Sequence, residues 1–202
     1  MKIGVLGTGM VGSAIAGKLK QLGHDVRLGS RHPAGAKAGV TVVSHEAAAQ
    51  HGDWIVVCLP GESVLETLDG LEIGNKILVD ISNFDSAIKE PLQEPLAQLI
   101  QRAYPEARVV KTLNSISAHL MVDPQSLGAP HSVFVAGNDT GAKGEVTELL
   151  KSFGWSDIID LGDLSATRAM ENLAAVWVSL EAVLDVGPNF TLAVVRGDKM
   201  AD

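Results

Sequence analysis

The chain has 202 residues, which is the size of one globular domain with a short appendage. Hydrophobic residues make up 46% and charged residues 20%, so the composition excludes an intrinsically disordered chain. The net charge of −8 and an aromatic content of only 4% argue against a nucleic-acid-binding protein.

Cysteine content and hydropathy indicate the kind of compartment in which the protein works. The single cysteine, Cys58, excludes a disulfide within the chain and a cysteine-based zinc site, and it favours a reducing compartment. No apolar run approaches the roughly 18 residues that cross a bilayer. We therefore expect a cytoplasmic protein without a membrane part.

Short apolar runs alternate with helical patterns through the first half of the chain. Strands are predicted at 2–6, 25–28, 40–43, 54–59, 76–80 and 108–111. Helices are predicted at 10–22, 44–50, 63–68 and 91–103. This alternation predicts an α/β fold with a doubly wound parallel sheet of the Rossmann type.

The pattern loosens beyond Lys111. Strands are predicted at 132–136 and 157–161, with helices at 142–153 and 163–186. The last helix has one apolar side, formed by Leu173, Val176, Trp177, Leu180 and Val183. That side either forms a contact between two copies of the chain or packs across its own sheet. We therefore expect a Rossmann domain over 1–162 and a short helical C-terminal segment over 163–202.

A glycine-rich turn follows the first predicted strand. Its sequence, Gly7-Thr8-Gly9-Met10-Val11-Gly12, has the GxGxxG spacing and opens a helix within a strand–helix–strand unit. In dinucleotide-binding turns the first glycine allows the tight turn, the second lets a pyrophosphate approach the backbone, and the third lets the helix pack on the strand. Free N–H groups at the start of the helix then hold the phosphates. We predict a dinucleotide site here rather than an ordinary glycine turn.

The end of the second strand distinguishes NADP from NAD. NAD sites usually place a carboxylate there for the ribose hydroxyl, but this chain has Gly29-Ser30-Arg31-His32. Arg31 can pair with a 2′-phosphate and Ser30 can donate a hydrogen bond to it. NADP is the predicted cofactor, and the contribution of His32 or Lys37 to the 2′-phosphate stays open.

Two further strand ends are expected to line the ligand crevice. Leu59 and Pro60 close the fourth strand, and Asn83 follows the fifth. Neither a GxSxG motif nor histidines at zinc-ligand spacing are present in the sequence. Lys111 and His119 are the nearby candidates for a proton donor, and Cys58 is expected to be a core residue.

The ordered set of motifs resembles the F420-dependent NADP oxidoreductases, which pass hydride between NADP and a 5-deazaflavin. The matching stretches are the glycine turn, 29–31, 59–60, 109–118 (VVKTLNSISA) and 163–171 with the helix that follows. The nucleotide domain of the six-transmembrane metalloreductases is similar, particularly over 109–118.

The resemblance implies roles for individual residues. Thr8, Ser30 and Arg31 would surround the NADP phosphates. Ser115, Ile116, Ser117 and Ala118 would lie under the nicotinamide and beside the hydride acceptor. Ser117 stands where the deazaflavin enzymes carry proline and the metalloreductase domains carry serine, so the acceptor is coenzyme F420 or a flavin (FMN or FAD). The resemblance also implies a homodimer formed through the C-terminal helices.

The predicted activity is therefore hydride transfer between NADP(H) and a small-molecule deazaflavin or flavin. The reactive parts of such a reaction belong to the cofactors, so no catalytic side chain is assigned. A ketone reductase would need a proton donor for the developing alkoxide. The alternatives are an imine or carbonyl reductase and a non-catalytic NADPH-binding sensor or partner module.

Overall fold

The computed structural model describes residues 1–86 and 93–198 of the chain. Its strands are β1 (Lys2–Leu6), β2 (Asp25–Gly29), β3 (Ala36–Lys37), β4 (Val40–Val43), β5 (Trp54–Val57), β6 (Ile77–Asp80), β7 (Arg108–Thr112), β8 (Ser132–Gly137) and β9 (Asp157–Asp160). Its helices are α1 (Met10–Gln21), α2 (His45–His51), α3 (Val64–Leu68), α4 (Leu96–Ala103), α5 (Ala118–Val122), α6 (Thr140–Phe153) and α7 (Thr167–Val183).

The described strands form one sheet in the order β3-β4-β2-β1-β5-β6-β7-β8-β9. Buried apolar side chains cover both of its faces, with α1, α5 and α6 packed on one face and α2, α3 and α4 on the other. Because helices cover both faces of the sheet, its strands carry apolar side chains on both sides, and the sequence shows them as continuous apolar runs. The predicted α/β doubly wound fold is confirmed.

The sheet is not parallel throughout, which corrects the prediction. β3 and β4 form an antiparallel hairpin around Ala38 and Gly39, which both have positive φ, as a two-residue hairpin loop requires. β8 runs antiparallel to β7. In the connection between them, α5 packs against α1, and the chain re-enters the sheet from the edge at which β7 ended.

The order of the central strands creates a crevice. The chain leaves β1 toward β2 and β4, then returns to β5 on the opposite side of β1. The loops after β1 and β5 therefore diverge at the carboxyl edge of the sheet. Ligands of open α/β sheets bind at such a switch point.

The C-terminal segment is less helical than predicted. A 3-10 turn at Leu164–Ala166 precedes α7, which ends at Val183, and residues 184–198 form neither helix nor strand. The predicted helix over 163–186 ends early because the backbone turns extended at Leu184 (φ −86°, ψ 127°), and Gly187, with φ of 54°, and Pro188 keep the helix from resuming. Residues 199–202 of the predicted segment lie outside the described residues. The division at residue 162 stays a prediction.

The non-helical tail is attached to the sheet edge by specific bonds. Ser132 N donates to Leu192 O at 3.0 Å, and Val194 N donates to the Ser132 hydroxyl at 2.9 Å. Arg196 pairs with Asp157 at 2.9 Å. The tail therefore runs along the ends of β8 and β9.

The other predicted helices agree with the structure except at their ends, whereas α5 was not predicted. The helix expected over 91–103 begins at Leu96, and residues 91 and 92 lie outside the described ones. Across the two described ranges, we find no helix with the length and apolar character to cross a membrane.

Candidate nucleotide-binding site

The glycine turn brings β1, α1 and β5 into close contact. Gly7 has φ of 113°, and a Cβ there would lie 2.2 Å from Cys58 O. A Cβ at Gly12 would lie 1.9 Å from Gly7 O, so a larger residue would push α1 off the turn. Gly9, in contrast, faces open space. The three positions thus have the geometry that a dinucleotide-binding turn needs.

The start of α1 is suited to an anion. Gly9 is its N-cap, and among the described residues no side chain caps this end or adds a carboxylate to its first turn. The first N–H groups of a helix lack partners within it, and the helix dipole makes this end partly positive. A phosphate approaching over Gly9 would meet these N–H groups.

Two cations lie on the β2 side of the turn. Arg31 is exposed just after β2, and Lys37 Nζ donates to Thr8 O at 2.5 Å. Ser30 is held in place because its N–H donates to Val43 O and its hydroxyl accepts from His32 N at 3.1 Å. The structure thus places Lys37 at the glycine turn, a position that the sequence had left open. The pKa of His45 is lowered by burial and by the charge of Arg31.

A cleft of about 390 Å³ extends from the turn across the ends of β5, β6 and β7. Eight predicted site residues line it: Gly9, Met10, Val11, Leu59, Pro60, Asn83, Ser115 and Ile116. Gly7, Thr8 and Gly12 form the turn behind it, while Ser30 and Arg31 lie on the other side of β1. The cleft and the two cations therefore occupy opposite halves of the crevice.

The predicted stretch 115–118 is divided between two environments. Ser115 and Ile116 line the cleft, whereas Ser117 and Ala118 do not. Ser117 is 7% exposed, and its hydroxyl donates to Pro188 O in the tail. Its side chain is thus bonded to this chain's own C-terminal segment rather than facing the cleft.

Helix α7 supplies a wall of the cleft that the sequence analysis missed. Ala174, Trp177 and Val178 line the cleft. The Trp177 ring stacks on the Phe190 ring of the tail, with the ring centroids 5.0 Å apart and the ring planes at 13° to each other. The apolar face that includes Trp177 was visible from its spacing. Periodicity alone could not say that part of this face covers the crevice.

A buried charged cluster lies directly behind the cleft. Lys111 Nζ is 2.8 Å from Asp80 Oδ2 and 3.2 Å from Glu171 Oε1, and both Lys111 and Asp80 have no exposed surface. Leu96 N donates to both Glu171 oxygens, at 2.9 and 3.1 Å. Burial and the neighbouring Asp80 raise the pKa of Glu171, although Lys111 and the Leu96 N–H oppose this. The residues joined by these contacts are 31 to 75 apart in the chain, so no local motif could have predicted them.

The side chains considered for acid–base or nucleophilic roles are poorly placed for them. Lys111 is enclosed in the cluster, and His119 is exposed, with Nε2 3.3 Å from Asn189 Oδ1. The Cys58 thiol lines the cleft, but burial and the charge of Asp80 raise its pKa and keep it protonated. Among the described residues, no group of three or more potential ligands could hold a metal ion.

Comparison with known proteins identifies the family. A family model described as "NADP oxidoreductase coenzyme F420-dependent" matches residues 2–84. The crystal structure of a candidate F420-dependent NADP reductase from Arthrobacter sp. FB24 is 40% identical to this chain, with a TM-score of 0.89. That match covers 97% of this chain and 100% of the other. The chain belongs to the family of F420-dependent NADP oxidoreductases.

Curated relatives include both branches of the resemblance. Human metalloreductase STEAP2 is 33% identical over 178 residues, covering 85% of this chain but 35% of the metalloreductase. The F420-dependent NADP reductase of Methanocaldococcus jannaschii is 26% identical over 156 residues, covering 72% of this chain and 70% of that protein. The present chain therefore spans about a third of the length of the metalloreductases it matches.

Proposed function

We propose that the chain catalyses hydride transfer between NADP(H) and a deazaflavin or flavin. The observation that carries this proposal is a crevice at the switch point of the sheet, with two different ends. One end has the glycine turn and two cations. The other is a cleft lined mainly by apolar side chains, with small polar residues and the carboxylate of Asp85 also in its lining. That combination suits NADP(H), whose phosphates would bind at the charged end while its nicotinamide ring contacts the flat ring of a deazaflavin or flavin in the cleft.

The phosphate end supports NADP. The N–H groups at the start of α1 would hold the pyrophosphate over Gly9, the open position of the turn. Arg31 and Lys37 would hold the 2′-phosphate, since Lys37 Nζ already lies beside Thr8 of the turn. A carboxylate at this point would repel that phosphate, and Gly29-Ser30-Arg31-His32 contains none.

The cleft end supports the hydride-transfer step. When bound, the nicotinamide supplies or accepts the hydride, so the chain's own residues have to orient the reactants and exclude water. Ile116, Trp177 and Val178 offer apolar surface for this, and Asn83 and Ser115 offer polar groups at its edge. Asn83 is itself fixed, because its Nδ2 donates to Asn114 O at 2.6 Å.

We further propose that the chain forms a homodimer through α7. The face of α7 away from the crevice exposes Val176 at 48% and Val183 at 76%. Leu184 and Val186 extend this apolar surface beyond the helix end. Covering such a patch with a second copy would remove apolar area from water.

Anaerobic turnover with NADPH tests the proposed function. Coenzyme F420, FMN and FAD are offered separately at equal concentration, and the absorbance of each acceptor is followed. We expect at least one acceptor to be reduced; F420 alone would place the chain with the deazaflavin enzymes, and flavin alone with the metalloreductase domains. Binding of NADPH without turnover of any acceptor would overturn the proposal and favour an NADPH sensor.

A further inference from the structure

The Lys111–Asp80–Glu171 cluster contains one ammonium group and two carboxyl groups. Lys111 and Asp80 are fully buried, and the Glu171 side chain is 2% exposed. The contacts that the structure gives for the Glu171 oxygens are all with donors, namely the Leu96 N–H and the Lys111 ammonium group. Contacts with donors at both oxygens suit an ionised carboxylate. With the Lys111 ammonium group charged and both carboxyl groups ionised, the cluster has an excess of one negative charge.

Hydrogen bonds join this cluster to the lining of the cleft. Ser82, which lines the cleft, donates its N–H to Asp80 Oδ1 at 2.9 Å and accepts from Lys111 at its carbonyl oxygen. The Ser82 hydroxyl accepts from Leu59 N at 3.3 Å. Glu171 lies one helical turn before Ala174 of the α7 wall. The excess charge is thus buried immediately behind the cleft wall.

We propose that the Lys111–Asp80–Glu171 cluster sets the redox preference of the bound cofactor, favouring the oxidised nicotinamide. This inference rests on the proposed function, because it requires that the nicotinamide occupy the cleft. NADP⁺ and NADPH share the adenosine, phosphates and riboses, and they differ by the positive charge of the oxidised ring. A nearby negative charge in a poorly screened interior attracts the charged ring and leaves the neutral ring almost unaffected.

The consequence is a bias toward hydride release. The C–H bond of the reduced ring breaks, and its hydrogen and both electrons pass to the deazaflavin or flavin, with solvent supplying the proton that completes the reduced acceptor. By linkage, a tenfold change in the NADP⁺ to NADPH affinity ratio corresponds to about 30 mV in the potential of the bound couple. The cluster would therefore make bound NADPH a stronger reductant.

Glu171→Gln tests this directly, because it keeps the side-chain shape and an oxygen for Leu96 N while removing one negative charge. The dissociation constants of NADP⁺ and NADPH are measured by calorimetric titration at pH 8, since burial raises the pKa of Glu171 and the ionised form is under test. We expect the ratio of the NADP⁺ to the NADPH dissociation constant to rise about threefold to tenfold. Asp80→Asn makes the same charge change elsewhere in the cluster and should move the ratio in the same direction.

The matched control is Glu148→Gln, which removes the same charge from the surface of α6, where Glu148 pairs with Lys151. Its ratio should equal that of the wild type. Folded cluster variants that weaken both cofactor forms equally, or neither, would overturn the inference, because a purely structural role leaves the ratio unchanged. Wild-type protein that binds neither form would instead contradict the proposed function.

Discussion

Arg31 is the side chain on which the proposed preference for NADP depends most. It is exposed at the end of β2, and Lys37 lies at the adjacent turn. Arg31→Ala should weaken NADPH binding by about 1–3 kcal/mol, the usual contribution of a hydrogen bond to a charged group, and leave NADH binding nearly unchanged. Fluorescence titration of both nucleotides measures this difference.

A surface cation elsewhere provides the control for that titration. Arg102 on α4 pairs with Glu94 and is 64% exposed, so Arg102→Ala should leave both titrations unchanged. Equal losses of NADPH and NADH affinity in Arg31→Ala would show that Arg31 does not read the 2′-phosphate.

Crevice residues that lie close together in the chain could be predicted from the sequence, whereas contacts between distant residues could not. Gly7, Gly9 and Gly12 belong to one turn, so their spacing alone predicted their arrangement. Ser117 was assigned to the nicotinamide by resemblance, but its hydroxyl bonds to Pro188, 71 residues away. Contacts of that separation depend on the path of the tail, which has no periodic pattern.

At the level of the elements, the position of α1 on the turn depends on the absence of a side chain at Gly12. Because a Cβ at Gly12 would lie 1.9 Å from Gly7 O, Gly12→Ala must displace α1 from the turn. We expect a loss of about 1–3 kcal/mol in the free energy of unfolding, the range for overpacked cores, and loss of NADPH binding. Urea unfolding and nucleotide titration measure the two effects.

Gly144→Ala is the matched substitution in a helix without that constraint. Gly144 lies on α6, and beyond the neighbouring backbone of its own helix no atom lies within 4 Å of a Cβ built on it, so alanine should stabilise the fold by about 0.4–1 kcal/mol. If Gly12→Ala behaved like Gly144→Ala, the close packing of α1 on the turn would not be important for binding.

Strands were the elements that the sequence predicted best. β1 and β4 have their predicted ends, and the other predicted strands differ by one or two residues, because strands buried on both faces read as continuous apolar runs. The two-residue β3 and five-residue α5 were missed, since neither is long enough to show a period.

For the whole molecule, the sequence left open whether the apolar side of α7 contacts a second copy of the chain or packs across its own sheet. The structure divides that side: Trp177 lines the crevice, while Val176 and Val183 stay exposed. A sequence cannot make this division, because it depends on how the helix is rotated against the sheet. The exposed part remains available for the proposed homodimer.

Val183→Asp tests that dimer. A charge placed in an apolar interface must be desolvated, so sedimentation equilibrium should show dimerisation weakened by about tenfold or more. Leu22→Asp, at an exposed site just beyond α1, is the control and should leave the dimer intact. A wild-type monomer, or a Val183→Asp dimer of unchanged affinity, would contradict the assignment of this face.

In the proposed function, one crevice holds NADP with its phosphates at the glycine turn and its nicotinamide in the cleft. A crystal structure of the chain with NADP⁺ bound tests this most directly. We predict the pyrophosphate over Gly9, the 2′-phosphate beside Arg31 and Lys37, and the nicotinamide next to Ser115 and Ile116. A nucleotide bound away from the turn, or with its nicotinamide outside the cleft, would contradict the account.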